Sequence, residues 1–368
     1  MLSALQRLLP MAEKVIDRRT SLPILKEICL QDGIARVTDL ETMLVMPVPE
    51  IRAYTIPVTL LKKVLVTRPQ NLFVSVGEDQ KVTISYGDHK VTYSTRDATD
   101  FPTLPKEKFK PVGEWSRDIF QVLAIQARYC SRDELKASLT GVFITQEKGQ
   151  MAASATDGHV LRMQNGLDVG KAKPLSGILP TKPLLLLARL ARGHTKVGLS
   201  NTHLSFSLPG DVTMYVRLID ERYPEIESVI PAEDTFTGSA VLDREKALAL
   251  IKAAKPFLEK PANLSILSMN GQASQILVEN TEDNTEWMAE WPVAKHEGKG
   301  IRIGFDLGLF ERALASQQSP TVRWKYTTPN TASVFAEVGE KWDSGAVTLL
   351  MPIRLNEEEQ THEQKRDH

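Results

Sequence analysis

Cysteine is nearly absent from the chain, which has only Cys29 and Cys130 among its 368 residues. Two thiols are too few for a disulfide framework or a cysteine-ligated metal site, and they are typical of a protein kept in a reducing cytoplasm. No run of about 18 apolar residues occurs, so we expect no membrane-spanning helix. The first segment carries Arg7, Glu13 and Lys14 and does not resemble a signal peptide. These absences predict a soluble, cytoplasmic protein.

A strong charge of either sign is also lacking, because the formal net charge is −1. Any nucleic-acid partner must therefore be bound by a local basic surface. No glycine-rich phosphate loop, nucleophile motif or metal-ligand spacing is found, so we expect neither a cofactor nor a metal. Hydrophobic residues make up 42% of the chain and charged residues 25%, a balance typical of folded globular domains.

Hydrophobic periodicity predicts six helices, whose starts are separated by about fifty to sixty-five residues. The predicted helices span residues 1–18, 57–69, 114–130, 181–194, 243–258 and 306–317. Short runs rich in β-branched residues follow them and predict antiparallel hairpins. The clearest of these runs span residues 72–76, 81–86, 90–94, 196–199, 203–208, 212–218, 321–325, 333–338 and 346–352. Each unit of this repeat is a helix followed by antiparallel sheet.

Three proline-bearing endings, about 125 residues apart, divide the chain. They are FPTLP at 101–105, YPEIESVIP at 223–231 and LLMPIRL at 349–355. We therefore predict an α+β fold of three similar domains, at residues 1–111, 112–236 and 237–355. Three unrelated α+β domains are the alternative. Residues 356–368 contain no apolar side chain and are predicted to be a disordered tail.

Basic residues are concentrated in the predicted helices. These windows contain sixteen Lys or Arg against eight Asp or Glu, a net charge of +8, which leaves −9 for the rest of the chain. Such a basic helix layer is suited to contact with a phosphate backbone, although an ordinary solvated helix face is the alternative. No helix-turn-helix, zinc-finger or basic-zipper spacing occurs, so the contact should be sequence-independent.

Several short segments, spread along the chain as far as Leu355, resemble the bacterial beta sliding clamp family, the beta subunits of DNA polymerase III. They are RTSLPIL at 19–25, TDLE at 38–41, LTG at 139–141, ATDGH at 155–159, RLIDERYP at 217–224, VIP at 229–231 and MPIRL at 351–355. The resemblance implies three clamp domains, each of two helices packed on antiparallel sheet, in a head-to-tail homodimeric ring.

The function implied by this resemblance is processivity without catalysis. A ring around duplex DNA would tether replicative and repair polymerases and the clamp loader near the primer end through short linear peptides. The resemblance assigns DNA contact to Arg19, Arg132 and Lys182. The basic helices add Arg68 and Arg192. For all five, a hydrated surface cation is the alternative.

The family binds its peptides in one apolar groove, and the matching positions come from three separated motifs. They are Leu139, Thr156, Gly158, His159, Leu161, Pro224, Val229, Ser333, Leu349, Met351, Pro352 and Ile353. Core packing is the alternative for the apolar members, but their convergence from several motifs favours a groove. For the dimer interface the resemblance indicates Lys90, Val91 and Tyr93, on a strand without proline whose edge is open to strand addition.

Five positions depart from the usual family pattern: Lys136, Val160, Ser228, Asp306 and Leu309. They make the rim of the groove less basic and less polar, so its peptide preference is expected to differ. They also favour a second hypothesis, a specialised paralogue that binds replication partners without acting as the main clamp. A third hypothesis is an enzyme that uses Asp157 and His159 as an acid–base pair, and the missing nucleophile and metal motifs argue against it.

Overall fold

The computed structural model describes residues 1–270, 273–338 and 345–355. Within these residues six α-helices form, one in each predicted window. They are α1 (Leu2–Val15), α2 (Val58–Val66), α3 (Arg117–Gln126), α4 (Thr181–Leu190), α5 (Arg244–Ala254) and α6 (Leu307–Ala315). The six predicted helices are thus confirmed, each with a shorter span. The predicted disordered tail, residues 356–368, lies outside the described residues.

Four strands follow each of the helices α1 to α4, five strands follow α5 and, among the described residues, three follow α6. The first twelve are β1 (Glu27–Gln31), β2 (Ile34–Thr38), β3 (Thr42–Pro47), β4 (Tyr54–Pro57), β5 (Phe73–Val76), β6 (Lys81–Tyr86), β7 (His89–Ser94), β8 (Lys110–Ser116), β9 (Gly141–Glu147), β10 (Gln150–Thr156), β11 (Val160–Asp168) and β12 (Leu175–Pro180). The others are β13 (His194–Leu199), β14 (His203–Leu208), β15 (Val212–Arg217), β16 (Gly238–Asp243), β17 (Leu264–Asn270), β18 (Ala273–Asn280), β19 (Thr285–Glu290), β20 (Val293–Gly298), β21 (Ile301–Asp306), β22 (Thr321–Tyr326), β23 (Ser333–Glu337) and β24 (Ala346–Leu350). This order confirms the repeated helix-and-sheet unit.

Two compact units are formed by the contacts within the chain. Unit 1 contains Met1–Ala124, Ile144–Gly149 and Val169–Asp220, and unit 2 contains Ile125–Phe143, Gln150–Asp168 and the described residues from Glu221 onward. These units do not decide the domain boundaries near residues 111 and 236, which stay a prediction.

Unit 1 contains an antiparallel sheet in the order β4-β1-β2-β3-β15-β14-β13-β8 and a smaller sheet in the order β5-β6-β7. Helix α1 buries one face, because its apolar residues recur every three or four positions. A second part of the core is aromatic, where the rings of Trp115, Phe120 and Phe206 lie 5.7 to 5.9 Å apart.

Unit 2 contains the strand run β10-β11-β24-β23-β22-β16-β20 and the sheet β19-β18-β17-β21. Its core holds the rings of Trp291, Phe305, Phe310, Trp324 and Phe335, all of which are buried. Phe310, from α6, lies 5.3 Å from Phe305, 5.4 Å from Trp291 and 5.5 Å from Phe335. This one helix residue therefore joins side chains of both sheets of the unit.

Aspartates start two helices of unit 2. The carboxylate of Asp243 accepts a hydrogen bond from the Lys246 backbone N–H at 3.1 Å, and Asp306 accepts one from the Leu309 N–H at 2.8 Å. Such caps satisfy N–H groups that have no partner within the helix. Asp306, a departure from the family pattern, therefore has a structural role at the start of α6.

Candidate functional sites

The TDGH segment at 156–159 forms a tight turn between β10 and β11. The Asp157 Oδ1 accepts hydrogen bonds from the backbone N–H groups of His159 at 2.9 Å and Val160 at 3.0 Å. The Thr156 hydroxyl donates to the Val160 carbonyl at 2.8 Å and accepts from the Gly158 N–H at 3.0 Å. Gly158 has a φ of +97°, which a glycine adopts without a steric cost. The motif therefore encodes a rigid turn that presents His159 to solvent.

The other oxygen of Asp157 is bound by an arginine of α6. Arg312 Nη2 donates to Asp157 Oδ2 at 2.8 Å, and Arg312 Nη1 donates to the Arg128 carbonyl at 2.8 Å. Both carboxylate oxygens of Asp157 are thus used in holding the turn. This arrangement argues against Asp157 and His159 as a catalytic pair, because a carboxylate that orients a histidine base must contact its imidazole.

The TDLE segment at 38–41 of unit 1 forms the same turn. The Thr38 hydroxyl donates to the Thr42 carbonyl at 2.8 Å and accepts from the Leu40 N–H at 2.9 Å, while Asp39 Oδ1 accepts from the N–H groups of Glu41 and Thr42. Asp39 Oδ2 then binds Lys182 Nζ at 2.5 Å. Each turn therefore uses one carboxylate oxygen for the backbone and the other for a helix cation, so the repeat extends to individual hydrogen bonds.

A buried cationic cluster lies beside the TDGH turn. The guanidinium of Arg162, only 3% exposed, donates to the Ser316 hydroxyl and the Thr348 hydroxyl, each at 2.9 Å. It also lies 5.8 Å from the ring centroid of Tyr129, while Arg312 lies 5.4 Å from the same ring. Burial lowers the pKa of Arg162 from its usual value. Strand β11, strand β24 and helix α6 are thereby fixed against one another.

The predicted groove residues all belong to unit 2, and the structure brings the TDGH and MPIRL motifs together. Strands β11 and β24 pair with Leu161 opposite Leu349, and β23 continues the sheet with Ser333 opposite Leu350. Beyond the strands, the Met351 N–H donates to the His159 carbonyl at 2.9 Å. These two motifs, about 190 residues apart in sequence, therefore share one surface.

The twelve predicted groove residues differ in burial, and some are exposed at the surface while others lie beneath it. Gly158, His159, Pro224, Val229 and Met351 are exposed, with Val229 at 55% and Met351 at 47%. Half-buried positions are Leu139, Pro352 and Ile353, and buried positions are Thr156, Leu161, Ser333 and Leu349. The exposed residues can contact a ligand, whereas the buried ones hold the strands beneath them. Their assignment to a peptide groove stays a prediction.

Tyr223 anchors the segment that carries Pro224. Its ring stacks on Phe143 with centroids 4.8 Å apart and an angle of 8° between the planes, and its hydroxyl donates to the Ser154 carbonyl at 3.5 Å. Burial raises the pKa of this phenol.

Cys130 is a second buried group of unit 2. Burial, assisted by the charge of Asp157, raises the pKa of its thiol to about 12.

We expect unit 2 to lose stability as the pH rises above about 9, where an unfolded thiol ionises. The folded pKa of Cys130 is raised to about 12, so the folded state retains a proton that the unfolded state has lost. The stabilisation is full below the unfolded pKa and is lost as the pH rises toward the folded pKa. Urea midpoints measured from pH 8 to pH 11 should fall, and Cys130→Ala should reduce that fall. An identical pH dependence in both proteins would contradict the role of Cys130.

The five predicted DNA-contacting cations differ in their surroundings. Arg19, Arg68 and Arg132 are exposed, and their side chains have no hydrogen-bond or ion-pair partner among the described residues. Lys182 donates to the Val15 carbonyl at 3.0 Å and is paired with Asp39, while Arg192 donates to the carbonyls of Arg189 and Ala191 at the end of α4. The first three are therefore freer to contact a phosphate.

Helices α1, α2 and α4 bring cations of unit 1 close together. Lys62 of α2 pairs with Glu13 of α1 at 2.6 Å, and Lys182 of α4 reaches the carbonyl of Val15 at the end of α1. Arg19 follows four residues after Val15. We call Arg19, Lys62, Lys63 and Lys182 the cation surface of unit 1.

Strand β7, which carries the predicted dimer residues, is an edge strand of its sheet in the described part of the chain. Val91 and Tyr93 lie opposite the buried Ile84 and Val82 of β6 and so face the interior, and the Tyr93 hydroxyl donates to the Thr55 carbonyl at 2.8 Å. Lys90 is exposed. The Tyr93 hydroxyl is therefore already bonded within unit 1, whereas the Lys90 side chain is open to a partner.

Comparison with known proteins shows which proteins this chain is similar to. Residues 119–225 match the model of the DNA polymerase III beta subunit, central domain. A beta sliding clamp from Pseudomonas aeruginosa is 25% identical and one from Proteus mirabilis is 26% identical. The first alignment covers 96% of this chain and 98% of the relative, and the second covers 92% and 94%. The chain is therefore similar to beta sliding clamps over nearly the whole length of both chains.

The beta clamp fold is established by solved structures. The DNA polymerase III subunit beta from Pseudomonas aeruginosa superposes with a TM-score of 0.85 at 24% identity, covering 96% of this chain and 98% of that one. A sliding clamp from the same organism, solved bound to griselimycin, superposes with a TM-score of 0.83 at 24% identity and the same coverage. The predicted α+β fold of antiparallel sheets and helices is thereby confirmed.

The departures from the usual beta clamp pattern have different structural consequences. Val160 is buried in β11 opposite Leu350, and Asp306 caps α6, so these two act within the fold. Lys136 and Ser228 are exposed and Leu309 is half-buried. A bound peptide could therefore contact the altered side chains at the exposed positions.

Sequence reasoning missed Arg162 and Arg312. Arg162 interrupts the apolar run Val160–Met163, and a cation inside a buried strand was a signal that it needed partners. Arg312 gave no such signal, because it is the kind of residue that occupies exposed helix faces. Within the described residues, no group of three or more potential metal ligands occurs, and no helix is long and apolar enough to cross a membrane.

Proposed function

We propose that this protein is a DNA sliding clamp, a non-catalytic subunit that encircles duplex DNA and keeps a replicative polymerase on its template. The observation that carries the proposal is the match to beta sliding clamps over nearly the whole of both chains. A clamp acts where DNA is replicated, so we place the protein in the bacterial cytoplasm. Two features of the structure support the proposal independently.

The first supporting feature is the cation surface of unit 1. Lysine and arginine side chains on helices bind phosphate groups without reading the base sequence, and such contacts weaken with salt. A ring that cannot leave the duplex needs only weak contacts of this kind. Arg19 is the best placed cation of this surface to make them, since no carboxylate neutralises it among the described residues. Arg68 and Arg132 lie outside this surface and are also without a carboxylate partner in the described part of the chain.

The second feature is the surface formed by His159, Val229 and Met351 in unit 2. Exposed apolar side chains beside a rigid turn can bind a short linear peptide, and the flexible thioether of methionine adapts to different sequences. We assign this surface to peptides from polymerases, the clamp loader and repair proteins. A homodimer, with the open edge of β7 as one side of its interface, would close the ring.

Retention on circular DNA tests the proposal. Clamps loaded by their cognate clamp loader onto nicked circular DNA should be recovered with that DNA on a sizing column in moderate salt. Linearising the DNA should release them, because only enclosure by a ring depends on the absence of ends. Equal retention on both forms, or on neither, would contradict the proposal. The mass in solution should equal that of two chains.

Arg19→Glu should shorten the lifetime of the loaded clamp on circular DNA and leave the dimer mass unchanged. The substitution replaces an unpaired cation by an anion that phosphates repel. Lys171→Glu makes the same change of charge at an exposed position before β12, outside the helices, and is the matched control. Equal lifetimes of the two variants across a salt series would remove Arg19 from the DNA-contacting set.

A specialised paralogue is the second candidate, favoured by the departures at the exposed Lys136 and Ser228. Such a protein would form the ring and bind partners without supporting the main replication fork. Complementation decides between the two candidates. This protein is supplied to host cells depleted of their main replicative clamp. If it is the main clamp, it should restore growth and processive synthesis, whereas a paralogue should restore neither.

A further inference from the structure

A cavity of about 710 Å³ lies between α1 and α2 in unit 1. Ile16, Val58 and Val66 supply apolar walls, and Val66, the last residue of α2, is 71% exposed. Cavities of this size commonly hold small molecules when apolar walls meet a few polar groups. No residue of the peptide surface in unit 2 contributes to it.

The rim of this cavity is cationic. Arg18, Lys26, Lys62 and Lys63 line it together with one acid, Glu13, which is paired with Lys62 at 2.6 Å. The side chains of Arg18, Lys26 and Lys63 have no hydrogen-bond or ion-pair partner among the described residues. Three positive charges thus remain at the mouth of an apolar cavity.

The lining also excludes other ligand classes. It has no aromatic ring on which a base could stack and no histidine, and its one carboxylate is already paired, so neither a nucleobase nor a metal ion fits. We infer that the cavity binds an amphiphilic anion of the fatty-acid kind, with its aliphatic chain against Ile16, Val58 and Val66 and its carboxylate at Lys26 and Lys63.

This inference does not depend on the proposed function. If the protein is a clamp, ligand binding has a consequence for DNA contact. Lys62 and Lys63 belong to the cation surface of unit 1, so a bound anion would occupy charges that otherwise attract phosphates. The ligand would then weaken DNA retention, and this consequence alone rests on the proposed function.

Direct binding without DNA tests the inference. The full-length protein should enhance the fluorescence of anilinonaphthalene sulfonate, an apolar anion, and decanoate should displace it. Decyltrimethylammonium, which has the same chain and the opposite charge, should not. Lys26→Gln with Lys63→Gln should raise the dissociation constant for decanoate by about tenfold, because both head-group charges are lost. Val66→Ser should raise it as well.

Matched controls come from residues outside the cavity. Lys252→Gln removes an exposed helix cation of unit 2, and Leu135→Ser removes an exposed apolar side chain, so both should bind decanoate as the parent protein does. Circular dichroism checks that every variant is folded. Displacement by the cationic detergent, or equal affinity in the cavity variants and the controls, would overturn the inference.

Discussion

Phe310→Ala should lower the free energy of unfolding of unit 2 by about 3–5 kcal/mol, which is the range for removing a large aromatic ring from a packed core. The Phe310 ring is fully buried and lies within 5.5 Å of the centroids of Trp291, Phe305 and Phe335. Those neighbours come from three separate segments and cannot all move into the space left by the ring. Urea unfolding followed by tryptophan fluorescence measures the loss.

Phe257→Ala is the matched control, because Phe257 is 37% exposed and, among the described residues, its ring lies near one other ring, that of Trp287 at 6.3 Å. We expect that variant to lose less than about 1.5 kcal/mol, since a surface aromatic pair contributes little beyond its contact area. Hydrogen exchange at the amides of β22 and β23 should accelerate in Phe310→Ala alone. Similar losses in both variants would show that the core of unit 2 is centred elsewhere.

The helices were predictable because each has an apolar stripe of helical period that does not depend on distant partners. Their ends were not. The third window began at residue 114, but residues 114–116 complete β8, because the backbone of Glu114 pairs with Lys196 of β13. A strand partner about eighty residues away decided that boundary, and periodicity does not contain that information.

The groove residues were predictable as positions in motifs, but their exposure was not. Leu161 and Met351 have similar side chains and come from equally specific motifs, yet Leu161 is 6% exposed and packs beneath the surface that Met351 helps to form. The difference follows from position along the strands, because Leu161 lies within β11 and is paired with Leu349, whereas Met351 lies just beyond the end of β24.

The partners of the two turn aspartates were beyond prediction for a related reason. Asp39 binds a lysine 143 positions away, and Asp157 binds an arginine 155 positions away. The hydrogen bonds inside each turn are local and follow from Thr-Asp chemistry, whereas the ion pairs depend on how helices and turns meet in the folded unit. Because Lys182 is neutralised in this way, its predicted role in DNA contact is weaker than that of Arg19.

The largest functional effect should come from replacing the two exposed apolar residues of the peptide surface together. Met351→Ala with Val229→Ala should weaken binding of a peptide from the cognate polymerase by about 2–3 kcal/mol, or roughly 30- to 150-fold in Kd. Both side chains are about half exposed in the free protein, so each has apolar area left to bury against a ligand. Fluorescence polarisation with a labelled peptide measures the change.

Met288→Ala is the control for this pair, because Met288 of β19 is also 47% exposed and is not one of the twelve groove residues. It should leave the peptide affinity unchanged. Neither substitution removes a buried side chain, so a weaker affinity in the double variant reports lost contact with the peptide and not a loosened fold. If the double variant and Met288→Ala bind the peptide equally well, partner peptides bind elsewhere on this protein. The residues that match the family groove would then not form the peptide-binding site of this protein.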